Sequence, residues 1–310
     1  MCGVFGIRSI ERDVARLAFF GLFALQHRGQ ESAGIAVSDA GRVTAMRDMG
    51  LVSQVFDERK LQGLQGEIAI GHTRYSTTGS TLWANAQPLV HQGRVRTVAL
   101  GHNGNLTNAA ALRDELVAEG VRLRTSSDSE MIAGLLGHDP APLEQAVANA
   151  MGRLEGAYTV VAIAEGKLVA FRDPYGFRPL TLGRLDGDWV VASESCSLDL
   201  VGAEPDREVQ PGELVVVDEE GCRVTRVAPI ADGGALCIFE LFYLARPDSR
   251  LAGVEMHGAR VRMGERLAEE APVEADLVLP IPDSGTPAAI GFSRALCTST
   301  PATLESGRAR

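Results

Sequence analysis

Up to about residue 230, short apolar runs alternate with amphipathic stretches, a pattern of strands mixed with helices. GLFALQHRG predicts a helix ending near Arg28-Gly29, followed by an apolar strand over Ala33–Val37. GEIAIGHTRYST (66–77) and RVRTVALGHNGNL (94–106) each predict a strand running into a loop that carries polar groups. TNAAALRDELVAEG (107–120) predicts a helix capped by Thr107 or Asn108 and stopped at Gly120. SSDSEMIAGLLG (126–137) opens another, with Ser127 and Glu130 at capping-box spacing. Two hairpins follow: 157–174 turns at Glu165–Lys167, and 212–227 turns at Asp218–Gly221. DWVVASES (188–195) supplies a strand between them. The expectation is a layered sheet structure with mostly antiparallel pairing.

After ADGG (231–234) the pattern changes. GARVRMGERLAEE (258–270) predicts a helix, ADLVLPIPDSG (275–285) a continuous apolar strand, and TPAAIGFSRA (286–295) another helix. Strand, loop and helix in that order resemble the start of a parallel α/β domain. The final stretch, LCTSTPATLESGRAR, is small and polar with no apolar period. A short segment with one parallel strand cannot close a core by itself. Two domains are therefore expected, over 2–232 and 233–310, the second partial with an atypical tail from about 296.

Composition narrows the function. The 310 residues carry a net charge of −10, and no basic cluster exceeds short pairs. That argues against nucleic acid as a partner, since phosphate binding needs concentrated Lys and Arg. No apolar run approaches the ~20 residues of a membrane-spanning helix. LAFFGLFAL (17–25) follows Arg8, Arg12 and Arg16, but Glu11 and Asp13 interrupt the basic part. QHRGQE stands where a cleavage site would be, so an amphipathic helix is expected rather than a signal peptide. The five cysteines, Cys2, Cys196, Cys222, Cys237 and Cys297, are scattered and contain no Cys-x-x-Cys. Neither a disulfide framework nor a zinc site is indicated, and a reducing cytosol is the expected compartment. Cys196 and Cys222 fall in predicted strands and read as core. The six dispersed His show no metal spacing.

The candidate chemistry begins at MCGVFGI. Removal of Met1 leaves Cys2 with a thiol and a free α-amine, a nucleophile and its own base. The alternative is a small core hydrophobe. HNGN (102–105), read as a loop after a strand, offers the Asn103 amide and the Gly104 N–H as an oxyanion hole; an ordinary Asn-Gly turn is the alternative. Arg74 could clamp a carboxylate through two hydrogen bonds or form a surface ion pair. Asp128 could hold an ammonium group or cap a helix. Together the set describes a pocket for an amino acid whose side chain is attacked, and glutamine fits.

MCGVFGI, LQHRGQESAGI, GHTRYST, HNGN and SDSE together resemble the class II glutamine amidotransferase domain of the N-terminal-nucleophile hydrolases. RDPYGFRPL (172–180), ASES (192–195), PGE (211–213) and FELFYLARPDS (239–249) narrow the resemblance to the amidophosphoribosyltransferase family. It covers roughly residues 2–295. The resemblance implies an α+β fold: a four-layer αββα sandwich followed by the incomplete start of a type I phosphoribosyltransferase domain. It implies transfer of ammonia from glutamine to phosphoribosyl pyrophosphate, the first step of purine synthesis. Cys2 would be nucleophile and α-amine base, with Asn103 and Gly104 as oxyanion hole. Arg74 and Asp128 would bind glutamine, and Arg28 and Gly29 would line the site.

Family members also use Mg²⁺, some hold a 4Fe–4S cluster, and homo-oligomers are implied. Cys237 resembles the first cluster ligand, but the other ligands are absent here and a buried structural thiol is expected. The paired-Asp strand and Thr-rich loop that hold the sugar phosphate are also absent, and PDSG (282–285) does not replace them. The chain is therefore expected to be C-terminally truncated and to retain the glutaminase half. A non-catalytic or regulatory remnant, or another class II amidotransferase, are the rival readings.

Overall fold

In the computed structural model, the described residues are 2–76, 81–231 and 234–299. Met1, Thr77 of the GHTRYST motif and the tail from 300 lie outside them. The chain divides into two compact units, Met1–Cys237 and Ile238–Arg310.

The first unit contains the strands β1 (Gly3–Arg8), β2 (Ser32–Asp39), β3 (Arg42–Met49), β4 (Ile68–Arg74) and β5 (Leu89–Gln92). They are followed by β6 (Thr97–Leu106), β7 (Gly156–Ala164), β8 (Lys167–Arg172) and β9 (Thr181–Leu185). The last four are β10 (Asp188–Ala192), β11 (Glu204–Glu208), β12 (Glu213–Asp218) and β13 (Gly221–Arg226). Seven form one sheet in the order β11-β9-β10-β1-β4-β2-β3, and six form another, β13-β12-β8-β7-β6-β5. Their pairings are antiparallel, and both predicted hairpins are present as β7–β8 and β12–β13.

Period-two alternation divides each strand between two cores. Val4, Ile70, Ala99 and Val161 point between the sheets and build the central core. Phe5, Ile7 and Ala69 point the other way, against the helix Val14–Ala24. Val98, Leu100 and Val160 face the helices Ala109–Ala118, Ser129–His138 and Leu143–Met151. Three stacked cores separate four layers, helix–sheet–sheet–helix. This is the αββα sandwich that the sequence led us to expect.

Several local expectations are corrected. HNGN is not a loop: β6 continues through Asn103 and Gly104 to Leu106, held by pairing with β7. Ser127 and Glu130 make no capping box. The Glu130 carboxylate instead accepts the backbone N–H groups of Arg124 and Thr125. Cys196 sits in the helix Ser195–Val201, not a strand, while Cys222 is half-buried in β13. β9 and β11, which the apolar pattern did not announce, extend the sheet outward from β10, with β9 paired to β10 and β11 to β9.

In the second unit, helices Met256–Glu270 and Gly285–Ser299 are present, preceded by a π-helical turn over Glu240–Leu244. The strand expected at 275–285 is not formed. A strand needs a hydrogen-bonded neighbour, and no pairing partner for this segment is found among the described residues. Leu277, Leu279 and Ile281 are consequently exposed. The unit's core is small, with Ala245, Leu251 and Met256 at its centre.

Candidate active site

Side-chain parity brings the site together. Cys2, immediately before β1, shares a face with Val4; in β4, Arg74 shares a face with Ile70; in β6, Asn103 shares a face with Ala99. All three inner residues belong to the central core, so alternation aims Cys2, Arg74 and Asn103 into the space between the sheets. Strand register places them at one end: Gly3 pairs with Thr73, and Arg74 with Ser32.

The backbone nitrogen of Cys2 donates to Asn103 Oδ1 at 3.0 Å, and its thiol lies 3.6 Å from the Tyr75 carbonyl oxygen. Burial pushes the thiol above its ordinary pKa, and the nearby Arg74 guanidinium acts in the opposite direction. With Oδ1 engaged by Cys2, the Asn103 amide nitrogen remains buried without a hydrogen-bond partner among the described residues. An orphaned buried donor is costly unless something arrives to accept from it. Gly104 pairs with Tyr158 across β6–β7. A Cβ at Gly104 would stand 2.0 Å from the Ala157 carbonyl oxygen, so this backbone tolerates no side chain.

Arg74 is buried, with Nη1 3.5 Å from Glu31 Oε2. Glu31 Oε1 also accepts from the Ser76 N–H and hydroxyl. Asp128 precedes the helix Ser129–His138 and makes no side-chain cap. One carboxylate oxygen accepts the Leu106 N–H at 2.9 Å, fastening it to the end of β6, and the other lies 3.8 Å from His102 Nδ1. Arg28 donates through Nε to the Cys2 carbonyl at 2.9 Å. Gly29 lets this turn approach β4, since a Cβ there would sit 2.5 Å from the Arg74 carbonyl carbon.

The sequence-predicted residues thus converge, with Cys237 the exception. That thiol is half-buried rather than buried, and its backbone N–H bonds to the Phe177 carbonyl. Among the described residues no group of three or more His, Cys, Asp or Glu could hold a metal ion. The described residues therefore gather no donor set that fits an iron–sulfur cluster or a Mg²⁺ cage.

Sequence reasoning missed Glu31 and Glu194. Glu194 is fully buried and ion-paired to Arg28. An acid set within an apolar strand end, VVASESC, was the available signal for Glu194. Glu31 carried none beyond its place in the QHRGQE stretch.

Residues 72–199 match the model of the glutamine amidotransferase domain. Amidophosphoribosyltransferase of Mycobacterium tuberculosis is 54% identical over 301 residues, covering 94% of this chain and 57% of that protein. The Synechococcus elongatus enzyme of the same name is 50% identical, covering 95% of this chain and 61% of that one. Over nearly its whole length the chain is similar to amidophosphoribosyltransferases. Among solved structures, glutamine phosphoribosylpyrophosphate amidotransferase from B. subtilis, complexed with ADP and GMP, superposes with a TM-score of 0.89 at 40% identity. It is matched over 95% of this chain and 64% of its own. The chain thus spans about three fifths of the length of the two curated relatives.

Proposed function

We propose that the first unit is a glutaminase that releases ammonia from glutamine, the donor half of an amidophosphoribosyltransferase. The observation that carries this reading is the Asn103 amide, which accepts from the Cys2 nitrogen and aims a buried, unpartnered N–H₂ into the same space. An amide so placed can orient the nucleophile and await a developing oxyanion.

Once Met1 is removed, the Cys2 nitrogen becomes an α-amine held on Asn103 Oδ1. The amine takes the thiol proton, directly or through a water, and the sulfur attacks the glutamine side-chain carbonyl. Negative charge grows on that carbonyl oxygen and is met by Asn103 Nδ2 and the Gly104 N–H. Collapse of the tetrahedral species returns the proton to the leaving nitrogen and frees ammonia, leaving a thioester that water hydrolyses to glutamate. The substrate's own carboxylate and ammonium would be held by Arg74 and Asp128, whose opposite charges suit those groups.

In the complete reaction of the family, the ammonia would pass to phosphoribosyl pyrophosphate to give 5-phosphoribosylamine and pyrophosphate. We read the setting as cytoplasmic, with self-assembly into a homo-oligomer. No helix among the described residues is long and apolar enough to cross a membrane. The deciding experiment follows glutamate release by the purified chain and by Cys2→Ala. The wild-type chain should release glutamate and the variant none; activity that survives the loss of Cys2 would refute the assignment.

A further inference from the structure

Each polar atom of Cys2 has its own partner: the nitrogen on Asn103, the sulfur near the Tyr75 carbonyl, and the carbonyl oxygen on Arg28 Nε. The first two belong to the chemistry just described. The third depends on how Arg28 itself is held. Arg28 sits in a single 3₁₀ turn over Gln26–Arg28, where the backbone alone fixes a long side chain poorly. Its guanidinium Nη1 is ion-paired with Glu194 Oε1. His27 Nε2 reaches the same carboxylate oxygen at 2.8 Å, and the Cys196 thiol lies 3.7 Å from the other.

A buried ion pair of this kind is a weak source of net stability, because desolvation offsets most of the attraction. Its geometry is what matters here. The guanidinium is a rigid planar fork, so fixing one edge on a carboxylate sets the direction in which Nε–H points. That direction ends on the Cys2 carbonyl. The pair also leaves no net charge behind the thiol, where an unbalanced buried cation would favour the thiolate.

We propose that Glu194 is a positioning residue for the Cys2 nucleophile, holding Arg28 against the Cys2 carbonyl and balancing its charge. The role rests on the glutaminase reading in treating Cys2 as the nucleophile. The other groups around Cys2 have partners of their own. Arg74 keeps Glu31, Asp128 keeps its place beside His102, and His72 is held neutral by burial, its pKa pushed down to about 3.

The test is residue-resolved alkylation of Cys2 by iodoacetamide across a pH series, read by peptide mass spectrometry, alongside glutaminase kinetics. In Glu194→Gln the Arg28 charge is unbalanced, so the alkylation profile should move to lower pH by roughly one unit. The rate of glutamate release should fall about tenfold or more, with KM for glutamine changed less than twofold. Removing both charges in Arg28→Gln/Glu194→Gln should return the profile to within a few tenths of a unit of wild type while kcat stays low. A purely structural role would lower folding yield without that shift and reversal. Should Glu194→Gln fail to fold, Glu194→Asp, with its carboxylate withdrawn by one methylene, should show a smaller shift in the same direction and a several-fold loss of kcat. A wild-type profile and wild-type kcat in a folded Glu194 variant would overturn the proposal. If wild type releases no glutamate yet the profiles shift as stated, the glutaminase reading fails and the positioning of Cys2 by Glu194 stands.

Discussion

At the scale of single residues, Asn103 and Arg74 point from opposite sheets into the same space but should give different kinetic signatures. The Asn103 Nδ2 donor has no partner among the described residues and is proposed to meet the charge that develops on a substrate oxygen, so Asn103→Ala should act on the transition state. We expect kcat to fall by ~10²–10³, with a smaller change in KM. Arg74 is already poised beside Glu31 and would bind a carboxylate in ground and transition states alike. Arg74→Lys should therefore mainly raise KM, because an ammonium group cannot reproduce the bidentate fork. Steady-state glutaminase kinetics separate the two, and one shared signature would show that the roles are misassigned. His72 offers a pH test. It lies fully buried with Nε2 3.1 Å from the His102 carbonyl oxygen, and desolvation holds its pKa near about 3. Its folded-state pKa is lowered, so the unfolded chain binds the extra proton between the two values. The stability linked to neutral His72 is complete above about pH 6.5 and is lost as pH falls toward about 3. His72→Gln should flatten the fall in denaturation midpoint across that window.

Elements show how much could be read from the sequence and where the reading stopped. The two hairpins, the strands β1, β2 and β4 and the helices Val14–Ala24, Ala109–Ala118, Ser129–His138, Met256–Glu270 and Gly285–Ser299 follow from period and turn residues, which act locally. Leu143–Met151 and Ser195–Val201 were not read as helices. The expectation of a loop at HNGN failed because polar residues in a strand look like a loop until the partner strand is known. Here β7 supplies that partner, and the strand is what aims Asn103 inward. The apolar run at 275–285 failed the opposite way: it has strand composition but no neighbouring strand to pair with. In the site, Cys2, Asn103, Gly104, Arg74, Asp128, Arg28 and Gly29 were legible as motifs. Glu31 and Glu194 were not, since their importance lies in partners distant along the chain. One element-level prediction concerns the packing of the turn after Val14–Ala24 on β4. In Gly29→Ala the new methyl group would stand 2.5 Å from backbone, so turn and strand must separate. We expect a stability loss of about 1–3 kcal/mol, by chemical denaturation, and a raised KM for glutamine as Arg74 shifts with its strand.

The whole molecule sets a limit on what this chain can do. Its first unit brings together Cys2, Asn103, Arg74 and Asp128, the groups proposed as nucleophile, oxyanion donor and substrate anchors, each fixed by strand register or by a backbone hydrogen bond. Its second unit shows two helices and a small core, and the segment 275–285 exposes Leu277, Leu279 and Ile281. Among the described residues nothing gathers ligands for a metal ion. A sugar pyrophosphate needs both a cation to neutralise it and a rigid pocket to hold its reacting carbon. Without them the large rate contribution of proximity is lost, however well ammonia is made. The 310-residue chain should therefore release glutamate from glutamine but form no phosphoribosylamine from either glutamine or ammonia. Titrating phosphoribosyl pyrophosphate with Mg²⁺ while following both products provides the check. Glutamate release should stay flat across the titration, because the described residues gather no acceptor site whose occupancy could reach Cys2. A saturable rise in that rate, or synthesis of phosphoribosylamine, would place an acceptor site in the residues from Ile238 onward.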